Sequence, residues 1–379
     1  MLKTFKYRLY PTKKQTTDLN IQLELCRWIY NKTLEIRKNS WEKEHKSVSL
    51  YNTQALLPQW VQDKPELDRV HSQVRQDCQM RVDLAFKAFF RRVKAKQNPG
   101  YPRFKAFGRY DSFTFPQSGF RLDQKNSTLY LSKTGRVPIT LHRPIQGLIK
   151  TCTIQKTSTG KWFVCFSCEI SRPEPLPKTN KIVGIDLGLK TFIQISDGEK
   201  IQNPRFFKSA QKDLAKVQRK LSKFPKGDHS LKRQKTKKIV AKVYEKISNR
   251  RRDFAHKTSL KLVRDYDFIA HENLSIQNML EQKKYSKSIA DVSWAQLIQI
   301  LSYKAAEAGK ITRAVNPYHT SQACSRCGVL VPKTIEDRVH NCPSCGLSID
   351  RDLNASYNIL RLGLESVGSE KNAKKALLK

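Results

Sequence analysis

The sequence predicts a multidomain α+β protein: a β-barrel interrupted by a helical insertion, followed by an α/β domain that carries a metal-binding cysteine cluster. Three observations lead there. Apolar residues recur at steps of three and four within residues 12–100, residues 101–177 break into short β-like runs between Gly, Pro, Asn and Ser turns, and from 178 onward strand and helix patterns alternate. The 379 residues suit two or three domains, and 39% hydrophobic content is enough to build real cores.

Taken in order, Leu2 to Tyr10 alternates apolar and basic residues as a strand does, and Pro11 closes it. In the helical part, Leu19, Leu23, Cys26, Tyr30 and Leu34 form one stripe; Val74, Cys78, Val82, Phe86, Phe89 and Val93 form a second, which Asn98, Pro99 and Gly100 end. The runs SFTF, STLYLS, VPITLH and KWFVCFSCEI then read as strands of a small barrel. With Leu2–Tyr10 as its first strand, the barrel occupies 1–11 and 101–177, and the helices of 12–100 are inserted into it. Pro173 to Lys181, PEPLPKTNK, has the composition of a linker.

The α/β part is expected over 178–317 and 348–362, with the cysteine cluster at 318–347 inserted. KIVGIDLGLKTFIQISDG reads as a buried strand turning into a second one. From Lys208 to Arg264 there are 20 Lys or Arg against four acids, while Ile239, Val243, Ile247 and Phe254 keep an apolar seam. That is a helical hairpin with a cationic face, which repels itself unless phosphates lie nearby. Strands at 268–274 and 310–317 flank a helix starting near Trp294. Residues 363–379 read as a basic, disordered tail.

A formal charge of +39 far exceeds what solubility asks for and calls for a polyanionic partner. A membrane surface is the poorer candidate, because no amphipathic or spanning helix gathers the basic residues, and nucleic acid is the better one. MLKTFKYRLYP interrupts its apolar residues with Lys3, Lys6 and Arg8, unlike a secretory signal, and no run nears the roughly 20 apolar residues of a membrane span. Nine cysteines without a secretory signal, four of them in one short cluster, favour a metal over disulfides and place the protein in a reducing cytoplasm. No base-reading motif such as a helix-turn-helix is recognisable.

Cys324-x-x-Cys327 and Cys342-x-x-Cys345 have the spacing with which two knuckles close over one zinc ion, and Gly328 and Gly346 follow each pair, where a tight turn needs them. Four thiolates fill a tetrahedral site, so this zinc is expected to be structural, and His340 is not needed as a ligand. Cys165-x-x-Cys168 lies inside a strand, where residues three apart face opposite sides, and reads as two small core residues.

Three carboxylates stand out. Asp186 lies in the apolar strand KIVGIDLGLK, where a charge is costly unless it is paired or binds a cation. Glu272 follows the apolar FIA of another strand, and Asp352 opens a helix in SIDRDLNASYNIL directly after the cysteines. Together they suit phosphodiester hydrolysis with two Mg²⁺ ions, one activating water and one stabilising the leaving oxygen. Taken singly, Asp352 reads as a helix cap and the others as ion-paired; Asp350 is the alternative third acid.

These segments resemble TnpB, the family of transposon-encoded RNA-guided nucleases related to the type V CRISPR effectors. The likeness spans almost the whole chain: the YRLYPTKKQ start, YPRFK at 101–105, the GIDLG and HENL strands, and the TSQACSRCG to DRDLNASYNI block. It implies that the barrel is a wedge domain and the insertion a recognition domain, and that a ribonuclease H-like (RuvC) nuclease domain is interrupted by a zinc ribbon. It also implies catalytic roles for Asp186, Glu272 and Asp352, a guide RNA from the element's end, and double-stranded DNA cut beside a short flanking motif by a monomeric ribonucleoprotein. Two rivals are an actin-like ATPase and a non-enzymatic zinc-ribbon DNA-binding protein. The first needs glycine-rich phosphate turns, yet the 15 glycines never occur as adjacent pairs; the second leaves Asp186 and Glu272 without a role.

Overall fold

A computed structural model of the chain describes residues 1–225, 227–228, 230–281, 286–334 and 336–368. The chain forms two compact units, Met1–Ser171 and Arg172–Lys379. Among the described residues no helix is long and apolar enough to cross a membrane.

The first unit opens with β1 (Leu2–Leu9), whose Phe5, Tyr7 and Leu9 point into the core while Lys6 and Arg8 alternate with them. Four helices follow: α1 (Lys13–Glu44), α2 (Leu50–Ala55), α3 (Leu57–Asp63) and, after a 3-10 turn, α4 (Ser72–Lys94). Thr12 starts α1 with a reciprocal capping box to Gln15. The two stripes read from the sequence pack α1 on α4, but α4 stops at Lys94, before Asn98.

Six more strands complete a sheet: β2 (Ser112–Phe115), β3 (Phe120–Asp123), β4 (Thr128–Leu131), β5 (Gly135–Thr140), β6 (Leu148–Lys156) and β7 (Trp162–Glu169). Their order is β2-β6-β7-β1-β5-β4-β3, so the two edge strands are consecutive in sequence and joined by only a short turn. Such a turn forces the sheet to curl, and Phe115 and Phe120 approach to 6.3 Å between ring centres; the result is a nearly closed barrel. Cys168 is buried in it, whereas Cys165, on the opposite face of β7, is only half-buried and is not a core residue. Strands β3 and β6 were not among the runs read from the sequence, because FRLD and LIKTCTIQK carry too many polar residues to stand out.

In the second unit a five-stranded sheet is ordered β10-β9-β8-β11-β12, with β8 (Ile182–Leu187), β9 (Thr191–Ile195), β10 (Lys200–Gln202), β11 (Phe268–Glu272) and β12 (Ile311–Val315). The β9 and β10 pairings are antiparallel; β8, β11 and β12 run parallel, and every residue of β11 is buried, as a strand covered on both faces should be. Between β10 and β11 lie α5 (Phe206–Ser222) and α6 (Leu231–Asp265), the expected basic hairpin. Its apolar seam is buried at Ile247 but not at Ile239, which is 48% exposed. The short helices α7 (Ile276–Glu281) and α8 (Ser286–Val292) precede α9 (Trp294–Glu307). Beyond β12, the strands β13 (Val339–Asn341) and β14 (Ser348–Asp350) pair with each other, and α10 (Arg351–Glu365) follows. Gly363, expected to begin a tail, lies inside α10, and residues 369–379 are outside those described.

The stretch expected to be a linker is anchored at its far end. Asp267, just before β11, accepts the amide hydrogens of Thr179 at 2.9 Å and Asn180 at 2.7 Å and pairs with Lys310, which also donates to Pro177 O at 2.6 Å. Burial alone would raise the Asp267 carboxyl, but Lys310 and these amides outweigh it and hold the group below its ordinary value of 3.8. A depressed carboxylate contributes its stability above pH 4 and loses it as pH falls through the lower, folded-state value. Lys310→Met, which leaves this buried acid without its counter-charge, is expected to destabilise the protein by about 3–5 kcal/mol. Denaturant unfolding of the two proteins at neutral pH checks it; an unchanged midpoint would refute the pairing's role.

Candidate active site

Strand parity aims two acids at one face. Ile269 of β11 packs with α6 and α9, whereas Phe268 and Ala270 pack with Ile359 of α10 on the other side. Glu272 continues the parity of Ala270, and Asp186 that of Gly184, so both acids face the α10 side. Because β8 and β11 are parallel, with Ile185 opposite His271, the next step of the register brings Asp186 and Glu272 together at the strands' C-terminal edge.

Helix α10 supplies the third acid by lying directly on this face. A Cβ on Gly184 would sit 2.1 Å from the carbonyl oxygen of Ser356, and one on Gly363 would sit 2.5 Å from Cβ of Ala270. Ser356 lies over the strand just before Asp186, and Gly363 lies farther down; the helix thus runs back along the strands with its first turn at their C-terminal ends. That turn carries Asp352.

The three acids line one open cleft of about 840 Å³. Burial, followed by the charges of Glu272 and Asp352, pushes the Asp186 carboxyl well above the ordinary carboxylate range, with Arg351 acting in the opposite sense. Burial likewise raises Glu272, against a 2.6 Å hydrogen bond donated by the Thr320 hydroxyl. Asp352 is held by Arg351, with Nε and Nη2 both 3.3 Å from Oδ1, and Arg338 approaches to 3.8 Å. Such a concentration of negative charge around desolvated carboxylates calls for cations. Lys190, Arg205, Lys208 and Lys333 also line the cleft.

Asp350 has a different task. Its Oδ1 accepts the amide hydrogens of Asp352 at 2.8 Å and Leu353 at 3.2 Å, capping α10, and its other oxygen pairs with Lys200. The cap role weighed for Asp352 therefore falls to Asp350, which does not line the cleft. Asp350→Ser, which keeps a capping oxygen, is expected to retain most cleavage while Asp352→Ala loses it; the reverse order in a nuclease assay would reassign the third acid.

The four cysteines form a separate centre. Their sulfurs all lie within 4.8 Å of one another, with Cys324 to Cys345 and Cys327 to Cys342 at 3.5 Å. Zn–S bonds of about 2.3 Å in a tetrahedron place sulfurs roughly 3.8 Å apart, so the donor set fits zinc. Gly328 and Gly346 adopt φ of 80° and 72°, and their amides bond back to Cys324 O and Cys342 O, which makes the two knuckles alike. Burial would raise the Cys324 thiol, but the amides of Cys327 and Arg326, with His340 and Cys345, lower it to about 5, and the shared hydrogen bond raises Cys345 in turn.

The centre is bolted to the cleft. Asn354 and Asn358, one turn apart on α10, both donate to Ala323 O at 2.7 Å; Asn354 accepts from Ser325 N, and Asn358 donates to Thr320 O. On the other side, Lys333 donates to the Nδ1 of buried His340 and to Ser321 O, and it reaches the cleft. Sequence reading assigned no role to Thr320, Lys333, Arg351, Asn354 or Asn358. All five lie within the TSQACSRCG to DRDLNASYNI block that it singled out.

The chain thus combines a carboxylate cleft, a four-cysteine centre and a charge of +39. The family model OrfB_IS605, described as "Probable transposase", matches residues 165–283; the Cas12f1-like TNB domain model matches 294–359. A helix-turn-helix model matches 1–46, where the structure has β1 and one long helix instead. A Streptomyces pristinaespiralis protein named as an RNA-guided DNA endonuclease is 35% identical over 96% of this chain and 89% of its own length. Another so named, InsQ of Escherichia coli K12, is 29% identical over 96% and 92%. The solved structure of the mini-RNA-guided endonuclease CRISPR-Cas_phi3 shares the fold, with a TM-score of 0.56 at 11% identity over 96% of this chain and 92% of that one. The chain belongs to the TnpB family of transposon-associated RNA-guided DNA endonucleases.

Proposed function

We propose that the protein uses a guide RNA to select double-stranded DNA beside a short flanking motif and cuts it at the cleft formed by Asp186, Glu272 and Asp352. The meeting of these three acids in one cleft, from two strands and a helix, carries the reading. In it the second unit is a RuvC-like domain: three antiparallel strands continued by two parallel ones, with acids at the C-terminal edge, is the ribonuclease H-like pattern, and the sheet order supports it. The first unit acts as wedge barrel and recognition insertion, and the protein works as a monomeric ribonucleoprotein in a bacterial or archaeal cytoplasm.

Asp186, Glu272 and Asp352 would hold two Mg²⁺ ions, which would supply Lewis-acid activation of water and charge compensation at the scissile phosphate. The chain's own part is to position these groups. Thr320 orients Glu272, the Asp350 cap fixes the first turn of α10, and Arg351 holds Asp352 at the cleft.

Sequencing RNA that copurifies with the protein, then cutting matched and mismatched duplexes with and without it, tests the reading. The expected result is one abundant RNA from the element's end and cutting that follows pairing, most sensitive to mismatches near the flanking motif. Equal sequence-specific cutting without RNA would leave an unguided nuclease.

A further inference from the structure

A second groove, of about 910 Å³, runs along one helix. It is lined by α5 and by Lys223, which caps its end, with six cations against one acid, Asp213. Lys208, Lys212, Lys216 and Lys220 recur every fourth residue, about 6 Å apart along the axis, and all are exposed. Among the described residues none of the four has an ion-pair partner on the chain. Lys208 also lines the catalytic cleft, so the row of charge opens into it.

The start of the row is fixed in place. Asp291 accepts the amide hydrogens of Phe207 at 2.9 Å and of Lys208, and Arg251 locks its carboxylate with Nη2 at 2.7 Å and Nε at 3.1 Å. A clamp on the first turn of α5 keeps Lys208 at the mouth of the cleft.

We propose that α5 is the track along which one DNA strand is led, phosphate by phosphate, from Lys220 to Lys208 and into the cleft where it is cut; this rests on the guided-cleavage reading above. A single row of cations on one helix face matches one phosphate backbone, whereas a duplex presents two. Continuity with the carboxylate cleft favours the strand being cut over the guide RNA. The row reads no bases, in keeping with a protein whose sequence choice resides in pairing.

The test is the triple variant Lys212→Gln, Lys216→Gln, Lys220→Gln, which keeps good helix formers on an exposed face. Its control is Lys232→Gln, Lys235→Gln, Lys238→Gln, which removes the same charge from α6 outside the groove. Binding of a labelled oligothymidine to the guide-loaded protein is measured against salt, alongside bound guide RNA, guided duplex binding and cleavage rate. Three lost phosphate contacts should flatten the log–log salt slope by about 2, so that from about 50 to about 200 mM salt the wild type loses roughly 20-fold more affinity than the variant. Cleavage should slow while guide content and duplex binding hold, and the α6 control should keep its slope. An unchanged slope in the α5 variant, an equal change in the control, or loss of guide RNA from the α5 variant overturns the proposal, the last by making the face a guide site. If the wild type cuts nothing, guided cleavage falls, yet the slope comparison needs no cutting and still decides the track.

Discussion

Asp186→Asn is expected to lower DNA cleavage by about a thousandfold or more while guided DNA binding persists. Cation stabilisation of the transition state is worth several kcal/mol, and each 1.36 kcal/mol is a factor of ten. Pairing with the guide, which sets binding, does not pass through these acids. The same substitution is expected to raise the melting temperature of the magnesium-free protein. A carboxyl pushed up by burial and by two neighbouring acids is a source of strain that the amide removes. Cleavage of a matched duplex and a thermal scan in chelator check both halves. Near-normal cutting would remove Asp186 from the mechanism, and a fall in melting temperature would make it a structural partner instead.

Loss of the metal centre should rank next. The purified protein is expected to carry one zinc per chain, and Cys342→Ser should release it and lower cleavage by about 10–100-fold, as loss of an outer support around a working site does. The route is specific: without closed knuckles, Ala323 and Ser325 lose their fixed positions against Asn354 and Asn358, and Thr320 loses its hold on Glu272. Metal analysis of the wild type and rate measurements on the variant decide it. No zinc, or full activity after Cys342→Ser, would contradict the coupling.

Much of this was legible beforehand, for reasons that differ by residue. The knuckle spacing and its two glycines define a local geometry, so sequence separation alone brings together the two sulfurs of each pair. Asp186 and Glu272 announce themselves because a charge at the end of an apolar strand has few structural uses. Asp352 was harder to place, since its strand-facing position depends on how closely α10 approaches β8, and that depends on Gly184 having no side chain. Two acids two residues apart at a helix start also look alike in sequence; only hydrogen-bond geometry separates the cap, Asp350, from the cleft acid. The supporting groups Thr320, Asn354 and Asn358 were not assignable because each acts on a residue that folding, not sequence, makes its neighbour. Polar strands such as β6, and short helices such as α7 and α8, lack the periodicity that betrays longer elements.

The seat of α10 on Gly184 also sets a timetable. During synthesis β8 and β11 emerge first, but the face they offer to α10 stays bare, and the site lacks its third acid, until the cysteine segment and the first turns of α10 have followed. Glu272 and Asp352 are 80 residues apart, which at about 5–20 residues per second is an interval of roughly 4 to 16 s. Throughout it the nascent chain already carries much of its positive charge, while the cleft still lacks Asp352.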